Sequence, residues 1–411
     1  MNEREGDVID CVVVGGGAAG LAASAALGQH GVQHVVLEAG QAGQTWATQR
    51  WNSFRLNTPG WTNRLLGDQP HAAYLTAGEV VDRLAVLAAR APIRTAVRVM
   101  NVAQAGTGFL LRTSDEEIRA RTVVVATGDE NIPRTPPVAA TLPGSITQLH
   151  SAEYRNPGLL PDGAVLVVGS GQSGAQISED LLVAGRRVLL ATSPVGHVPV
   201  RHRGYDSFEL LHAGGFFDQT PADLPDPALM RATQPILAPG GKPLSLRTLA
   251  RAGATLTGRM VAVDDHRVMF DDSTEPNVAA GEAFASYVRA MLDAQIARTD
   301  PTSRPSRTSE DDESDVSVAL NPPASVKLST LAAVVWCTGF TSDFSWLDTA
   351  LLDLSGRPRH HGCAGSSPGL WYVGLRWLTH RSSATLPGIP KDAATVAAAV
   401  AAHLHITRRD P

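Results

Sequence analysis

Hydrophobic residues in this chain come in short unbroken runs. Residues 12–14 (VVV), 35–37 (VVL), 123–125 (VVV), 166–168 (LVV), 189–191 (LLA) and 332–336 (AAVVW) are the clearest. Most are bounded by glycine or by Thr-Gly. Such runs read as strands buried on both faces, the arrangement of parallel sheets covered by helices. Helical stretches are expected after the first and fourth runs, near 77–90, over about 277–298, and in the Ala-rich tail from about 390 to 404. The pattern predicts an α/β chain.

Two of the runs repeat one another. Shifted by 154 residues, Val14 falls on Val168, Gly15 on Gly169, Gly17 on Gly171, Gly20 on Gly174 and Gly31 on Gly185. Each copy reads strand, glycine turn, Ala/Leu-rich helix, glycine, strand. That is the opening βαβ unit of a dinucleotide-binding fold. The first glycine permits the tight turn, the second lets backbone reach a diphosphate, and the third lets helix pack on strand. The helix N-terminus then offers free N–H groups to the phosphates. Gly15, Gly17, Ala18, Ala19 and Gly20 form one candidate cradle. Gly169, Gly171, Gln172, Ser173 and Gly174 form the other.

The residue after each second strand suggests which nucleotide is held. Glu38 closes the first unit, and a carboxylate there accepts bonds from both ribose hydroxyls, which suits FAD or NAD. Thr192 and Ser193 occupy the matching place in the second unit. With no acid there, and with Arg201 and Arg203 nearby, a 2′-phosphate is accommodated, which favours NADP. The layout expected is two Rossmann-like dinucleotide-binding domains, the NADP domain inserted into the FAD domain. The FAD domain takes residues 1–155 and 335–411, and the NADP domain 156–334. The Pro-, Ser- and acid-rich stretch 297–325 reads as a surface excursion. The helix before it is expected to pack over the mouth of the active site.

Composition narrows the function. A net charge of −5 gives no basic excess to capture nucleic acid or an anionic membrane. Cys11, Cys337 and Cys363 are isolated and form no CxxC pair, which argues against a disulfide framework and a dithiol redox centre. No apolar run is long enough to span a bilayer and the N-terminus is unlike a signal peptide, so the cytoplasm is the expected compartment. No metal-ligand spacing, Ser-His-Asp order or paired-carboxylate pocket is evident. The histidines within 201–215 make no metal pattern, and the acidic run 310–315 reads as a solvated loop.

Five places resemble the flavin-containing monooxygenases, the class B flavoprotein monooxygenases with two dinucleotide domains, and especially their bacterial relatives. They are GGGAAG at 15–20, GQTW at 43–46, FRLNTP at 54–59, GSGQSG at 169–174, and the linker turns ATG at 126–128 and CTGF at 337–340. The family's identifying motif is degenerate here. Gly144, His150 and Tyr154 can fill it, but Leu142 replaces a Phe, and His150 reads best as a structural hydrogen-bonder.

The resemblance implies FAD and NADPH as cofactors, with Thr45, Trp46, Thr127, Gly128, Thr338 and Gly339 beside them. It implies that NADPH reduces the flavin and that oxygen forms a C4a-(hydro)peroxyflavin, which passes one atom to a nucleophilic nitrogen or sulfur of a small molecule. Asn57 is the implied catalytic residue, a neutral amide that donates and accepts near the reacting flavin. Alternatives are an NADPH-dependent flavin oxidase or reductase without oxygen insertion, Baeyer–Villiger ketone oxygenation, and a non-enzymatic dinucleotide-binding protein. The expected partners are a small-molecule substrate and molecular oxygen, with room for a homodimer. Trp46, Trp51, Trp61 and Trp377 are candidates for lining the substrate pocket.

Overall fold

The computed structural model describes residues 8–130, 132–299 and 319–407. The apolar runs form two parallel sheets. In the first, strand Ile9–Val14 lies between His34–Leu37 and Glu117–Val125, both parallel to it, with Val12 facing Val35 and Val123. Strand Leu370–Tyr372 extends this sheet beyond Glu117–Val125, and Ile93–Arg94 extends it beyond His34–Leu37. An antiparallel pair, Val99–Ala105 and Gly108–Thr113, hangs from Glu117–Val125. Helix Ala18–Gln29 and the C-terminal helix Ile389–Thr407 cover one face, and their apolar side chains share one core with Val13, Val124 and Val373.

The second sheet is wholly parallel, ordered Thr255–Thr257, Val188–Ala191, Ala164–Val168, Leu331–Trp336, Thr147–His150. Its first strand in sequence order lies before the expected boundary at residue 156. Strand Thr147–His150 pairs with Leu331–Trp336, Gln148 facing Val334, so the chain enters this sheet before residue 156. The expected repeat is present in both units: Gly31 and Gly185 each end their helices at positive φ, 67° and 75°.

Two linkers join the sheets. Ile132–Pro133 and Phe340–Thr341 pair antiparallel. The Arg134 guanidinium donates to the Thr338 carbonyl at 3.0 and 2.9 Å, and the Thr338 hydroxyl donates back to the Arg134 carbonyl. His150 pins the same place. Its Nε2 lies 3.0 Å from the Gly339 carbonyl, and the Ala152 N–H lies 3.2 Å from its Nδ1. A carbonyl only accepts and an N–H only donates, so the buried imidazole is neutral with its proton on Nε2. The structural reading of His150 therefore agrees with its geometry.

Helix Thr274–Thr299 does not close over the cleft. Its Val288 and Leu292 pack on Leu211 and Phe216 from behind, and Asp293 binds His202 at 2.6 Å and Arg203 at 3.0 Å. The helix braces a wall of the cavity described below; none of its residues lines that cavity. Most of the excursion expected at 297–325, and the acidic run within it, lies outside the described residues.

Candidate active site

The two glycine turns are built as their sequence requires. Gly15 sits at φ 108°, where a Cβ would fall 2.8 Å from the Ala126 carbonyl oxygen. A Cβ on Gly20 would fall 1.8 Å from the Gly15 oxygen, so only glycine allows the helix so near the turn. The second turn repeats both features: Gly169 has φ 102°, and a Cβ on Gly174 would lie 1.8 Å from the Gly169 oxygen. By contrast, a Cβ on Gly17 would meet nothing within 4 Å. That side faces open space, where a diphosphate has room. Neither following helix has a side-chain cap or an acid in its first turn, which leaves N–H groups for an anion.

Glu38 meets the first turn from the end of its strand. One carboxylate oxygen accepts from the Gly16 N–H at 2.6 Å and the other from the Gly40 N–H at 2.8 Å. These bonds fix the carboxylate at the rim and leave lone pairs for two ribose hydroxyls. The residues present thus fit the adenosine diphosphate half of FAD.

A cavity of about 930 Å³ opens beside this turn. Gly15, Gly17, Ala18, Ala19 and Glu38 line one part, with Thr45, Trp46, Asn57, Thr127 and Gly128. Gln172, Ser173 and Gln176 enter it from the second unit. The GQTW segment begins at Gly43, whose φ of 70° starts the short helix Gln44–Thr48 and whose N–H donates to Gly16 at 3.2 Å. Asn57 is held by a buried brace. The Asn63 amide donates to the Thr58 and Pro59 carbonyls at 3.1 Å each and accepts from the Thr58 hydroxyl at 3.0 Å. The Asn57 amide then donates to Gln172 Oε1 at 3.3 Å, and Gln172 is itself clasped to the Leu237 backbone at 2.8 and 3.1 Å.

Other expected site residues are placed differently. Thr192 is buried; its hydroxyl donates to the Thr257 carbonyl at 2.7 Å and accepts from Asn277 at 3.0 Å. It ties helix Thr274–Thr299 to the sheet and has no bond left for a 2′-phosphate. Arg203, at φ 51°, is committed to Asp293, and the exposed Arg201 donates to Gly204 within its own hairpin at 3.3 Å. Ser193 remains beside the second turn, its N–H donating to the Ser170 hydroxyl at 3.0 Å. Gly169, Gly171 and Gly174 shape that turn without lining the cavity. Thr338 and Gly339 serve the linker ribbon, as their bonds to Arg134 and His150 show. Trp46 and Trp51 line the cavity, whereas Trp61 and Trp377 do not. Trp61 instead stacks on His71 with ring centres 5.7 Å apart.

Sequence reasoning missed several groups at the cavity. Asp129 follows the ATG turn; it is 6% exposed and accepts from the Arg376 N–H at 2.8 Å and from Arg357 at 3.1 Å. His380 lies 3.6 Å from Asp392, both nearly fully buried, and burial holds the imidazole below its ordinary pKa against the pull of Asp392. Phe208, Phe216, Phe217 and Arg381 complete the same wall. Nothing in their spacing marks them in advance. The three cysteines are free; burial pushes the Cys11 and Cys363 thiols up to about 12 and the Cys337 thiol higher. None is poised as a redox thiolate.

With this geometry in view, comparison with known proteins is informative. The profile of the pyridine nucleotide-disulphide oxidoreductase family matches residues 12–195. An uncharacterized oxidoreductase CzcO-like of Geobacillus kaustophilus is 28% identical over 94% of this chain and 96% of its own length. Indole-3-pyruvate monooxygenase YUCCA1 of Oryza sativa subsp. japonica is 29% identical over 59% of this chain and 62% of its own. Among solved structures, a flavin-containing monooxygenase from Stenotrophomonas maltophilia superposes with a TM-score of 0.66 at 22% identity, covering 97% of this chain and all (100%) of that one. This chain is thus similar in sequence to flavin-dependent monooxygenases and shares the fold of a flavin-containing monooxygenase.

Proposed function

We propose that this enzyme uses NADPH and molecular oxygen to place one oxygen atom on a nucleophilic nitrogen or sulfur of a small molecule. NADPH supplies two electrons and a proton supplies the balance, so the second oxygen atom leaves as water. The observation that supports this reading most is the Asn57–Gln172 contact inside one shared cavity, because it brings the loop beside the first nucleotide unit against the helix start of the second.

When bound, FAD supplies the hydride acceptor and the centre that activates oxygen. The chain's own residues bind, orient and exclude water. The first turn and Glu38 hold the adenosine diphosphate end. The second turn, with Gln172 and Ser173 at the cavity wall and Ser193 beside the turn, would hold the nicotinamide nucleotide. Asn57 offers an amide donor that has no pKa near neutrality, so its hydrogen bonding does not change over the working pH range. Trp46, Trp51, Phe54, Phe208 and Phe217 present apolar surface to the cavity, which keeps water from the reacting centre.

Cys11, Cys337 and Cys363 are all free, with Cys337 partly buried and the other two buried, which disfavours a disulfide reductase on the same fold. Reaction under isotopically labelled oxygen tests the proposal. One labelled atom in an N-oxide, hydroxylamine or sulfoxide product supports it. NADPH consumption that yields only hydrogen peroxide with every amine and thioether tried contradicts it.

A further inference from the structure

Arg381 lies in the cavity wall, and the structure orients its guanidinium without neutralising it. Its plane is held between two rings, 4.2 Å from the centre of Phe216 and 4.9 Å from that of Trp377. Its Nε and Nη2 donate to Gln219 Oε1 at 3.0 and 2.9 Å. The Arg381 backbone N–H also donates to the Gln219 carbonyl at 2.8 Å. Among the described residues Nη1 has no hydrogen-bond partner and no carboxylate pairs with the group. Asp218, next in sequence to the partner Gln219, is taken by Lys391 at 2.9 Å. Of the other cations lining the cavity, Arg376 is paired to Asp129 and Lys391 to Asp218, while Arg50, Arg55 and Arg98 lie elsewhere along its wall.

A half-buried guanidinium is costly to leave unpaired, and a planar fork matches a carboxylate or a phosphate in two-point geometry, of which a carboxylate on an apolar body suits the aromatic wall beside it. Holding that fork between rings and against one amide removes most of the rotamer entropy that binding would otherwise cost. Phe208 and Phe217, stacked at 4.7 Å, give the adjoining wall an apolar face. We infer that Arg381 is the anchor for a carboxylate on the substrate, with Phe208 and Phe217 receiving the apolar body of the same molecule. Only the oxygen-transfer part rests on the proposed function; the binding claim can fail or stand separately.

The test titrates FAD-loaded enzyme with benzoate, 3-phenylpropanoate and 2-naphthoate, each beside its neutral amide, and follows the flavin absorbance. At least one acid is expected to bind better than its amide, and Arg381→Met to weaken that acid about 10- to 100-fold while leaving the amide unchanged. Arg381→Lys should fall between. If Arg381→Met does not retain FAD, Gln219→Leu carries the test: it frees the fork without removing the charge, and a several-fold loss for the acid alone is expected. Equal binding of acids and amides, binding of none, or acid affinity untouched by the variants overturns the inference. So does a loss of NADPH affinity in Arg381→Met, read by anaerobic titration, with acid binding intact, because the anion would then be a nucleotide phosphate. Failure of oxygen transfer in an enzyme whose acid binding follows Arg381 counts against the proposed function only.

Discussion

The Asn57 amide donates to Gln172 Oε1 across 3.3 Å, linking the loop beside the first nucleotide unit to the helix N-terminus of the second. Both side chains are fixed by their surroundings. Asn57 is fixed by the Asn63 brace, and Gln172 by donating to the Leu237 carbonyl and accepting from the Leu237 N–H. Removing the Asn57 amide takes a donor from the proposed reacting centre and leaves both glycine turns standing. Asn57→Ala is expected to reduce its flavin with NADPH at nearly the wild-type rate and to release more hydrogen peroxide per NADPH. Peroxide yield by a coupled assay checks this, and unchanged coupling removes Asn57 from the mechanism.

The paired glycines separate the two nucleotides. Gly20→Ala drives a Cβ to 1.8 Å from Gly15 O, and Gly174→Ala does the same at Gly169 O. Each must push the helix from the turn, at a cost of about 1–3 kcal/mol of local packing. Gly20→Ala is expected to purify without FAD. Gly174→Ala is expected to keep FAD and to lose NADPH affinity by at least about tenfold, equivalent to roughly 1.4 kcal/mol. Flavin absorbance per chain and an anaerobic NADPH titration distinguish them.

Acid should loosen the linker before it reaches the carboxylates. Burial holds the His150 imidazole below its ordinary pKa, opposed by its bond to Gly339. The unfolded chain, with a histidine pKa of about 6.5, takes up the proton first. The stability that neutral His150 contributes is therefore present above about pH 6.5 and is lost as pH falls below it. A proton on Nδ1 would also face the Ala152 N–H. Thermal unfolding is expected at lower temperature at pH 5.5 than at pH 7.5, with the difference smaller in His150→Gln. An equal acid shift in that variant would assign the sensitivity to other groups, His197 and His380 first, since burial lowers both.

Much of the fold was legible because its signals are local. A buried strand, a glycine forced to φ near 100°, and a helix with no capping side chain each lie within a few residues. The division at residue 156 was less so: Thr147–His150 is short and half-polar, and only its pairing with Leu331–Trp336 assigns it to the second sheet. The same distinction holds at the site. Glu38 could be read from its place after a strand. Thr192 occupies the equivalent place, but its hydroxyl is used by Asn277, 85 residues away, a claim no local pattern reveals. Arg203 likewise looked available until Asp293 was found beside it. Arg381, Phe216 and Gln219 meet from segments more than 160 residues apart in the chain, Gln219 and Arg381 being separated by 162. Such convergence has no spacing to read.

The most direct test of two nucleotides cooperating in one oxygenating site is a double-mixing experiment on the purified FAD-loaded enzyme. Anaerobic NADPH should bleach the flavin, and subsequent oxygen should give a long-lived absorbing species distinct from both oxidised and reduced flavin. Failure of NADPH to bleach the flavin, or immediate return of the oxidised spectrum on mixing with oxygen, would contradict it.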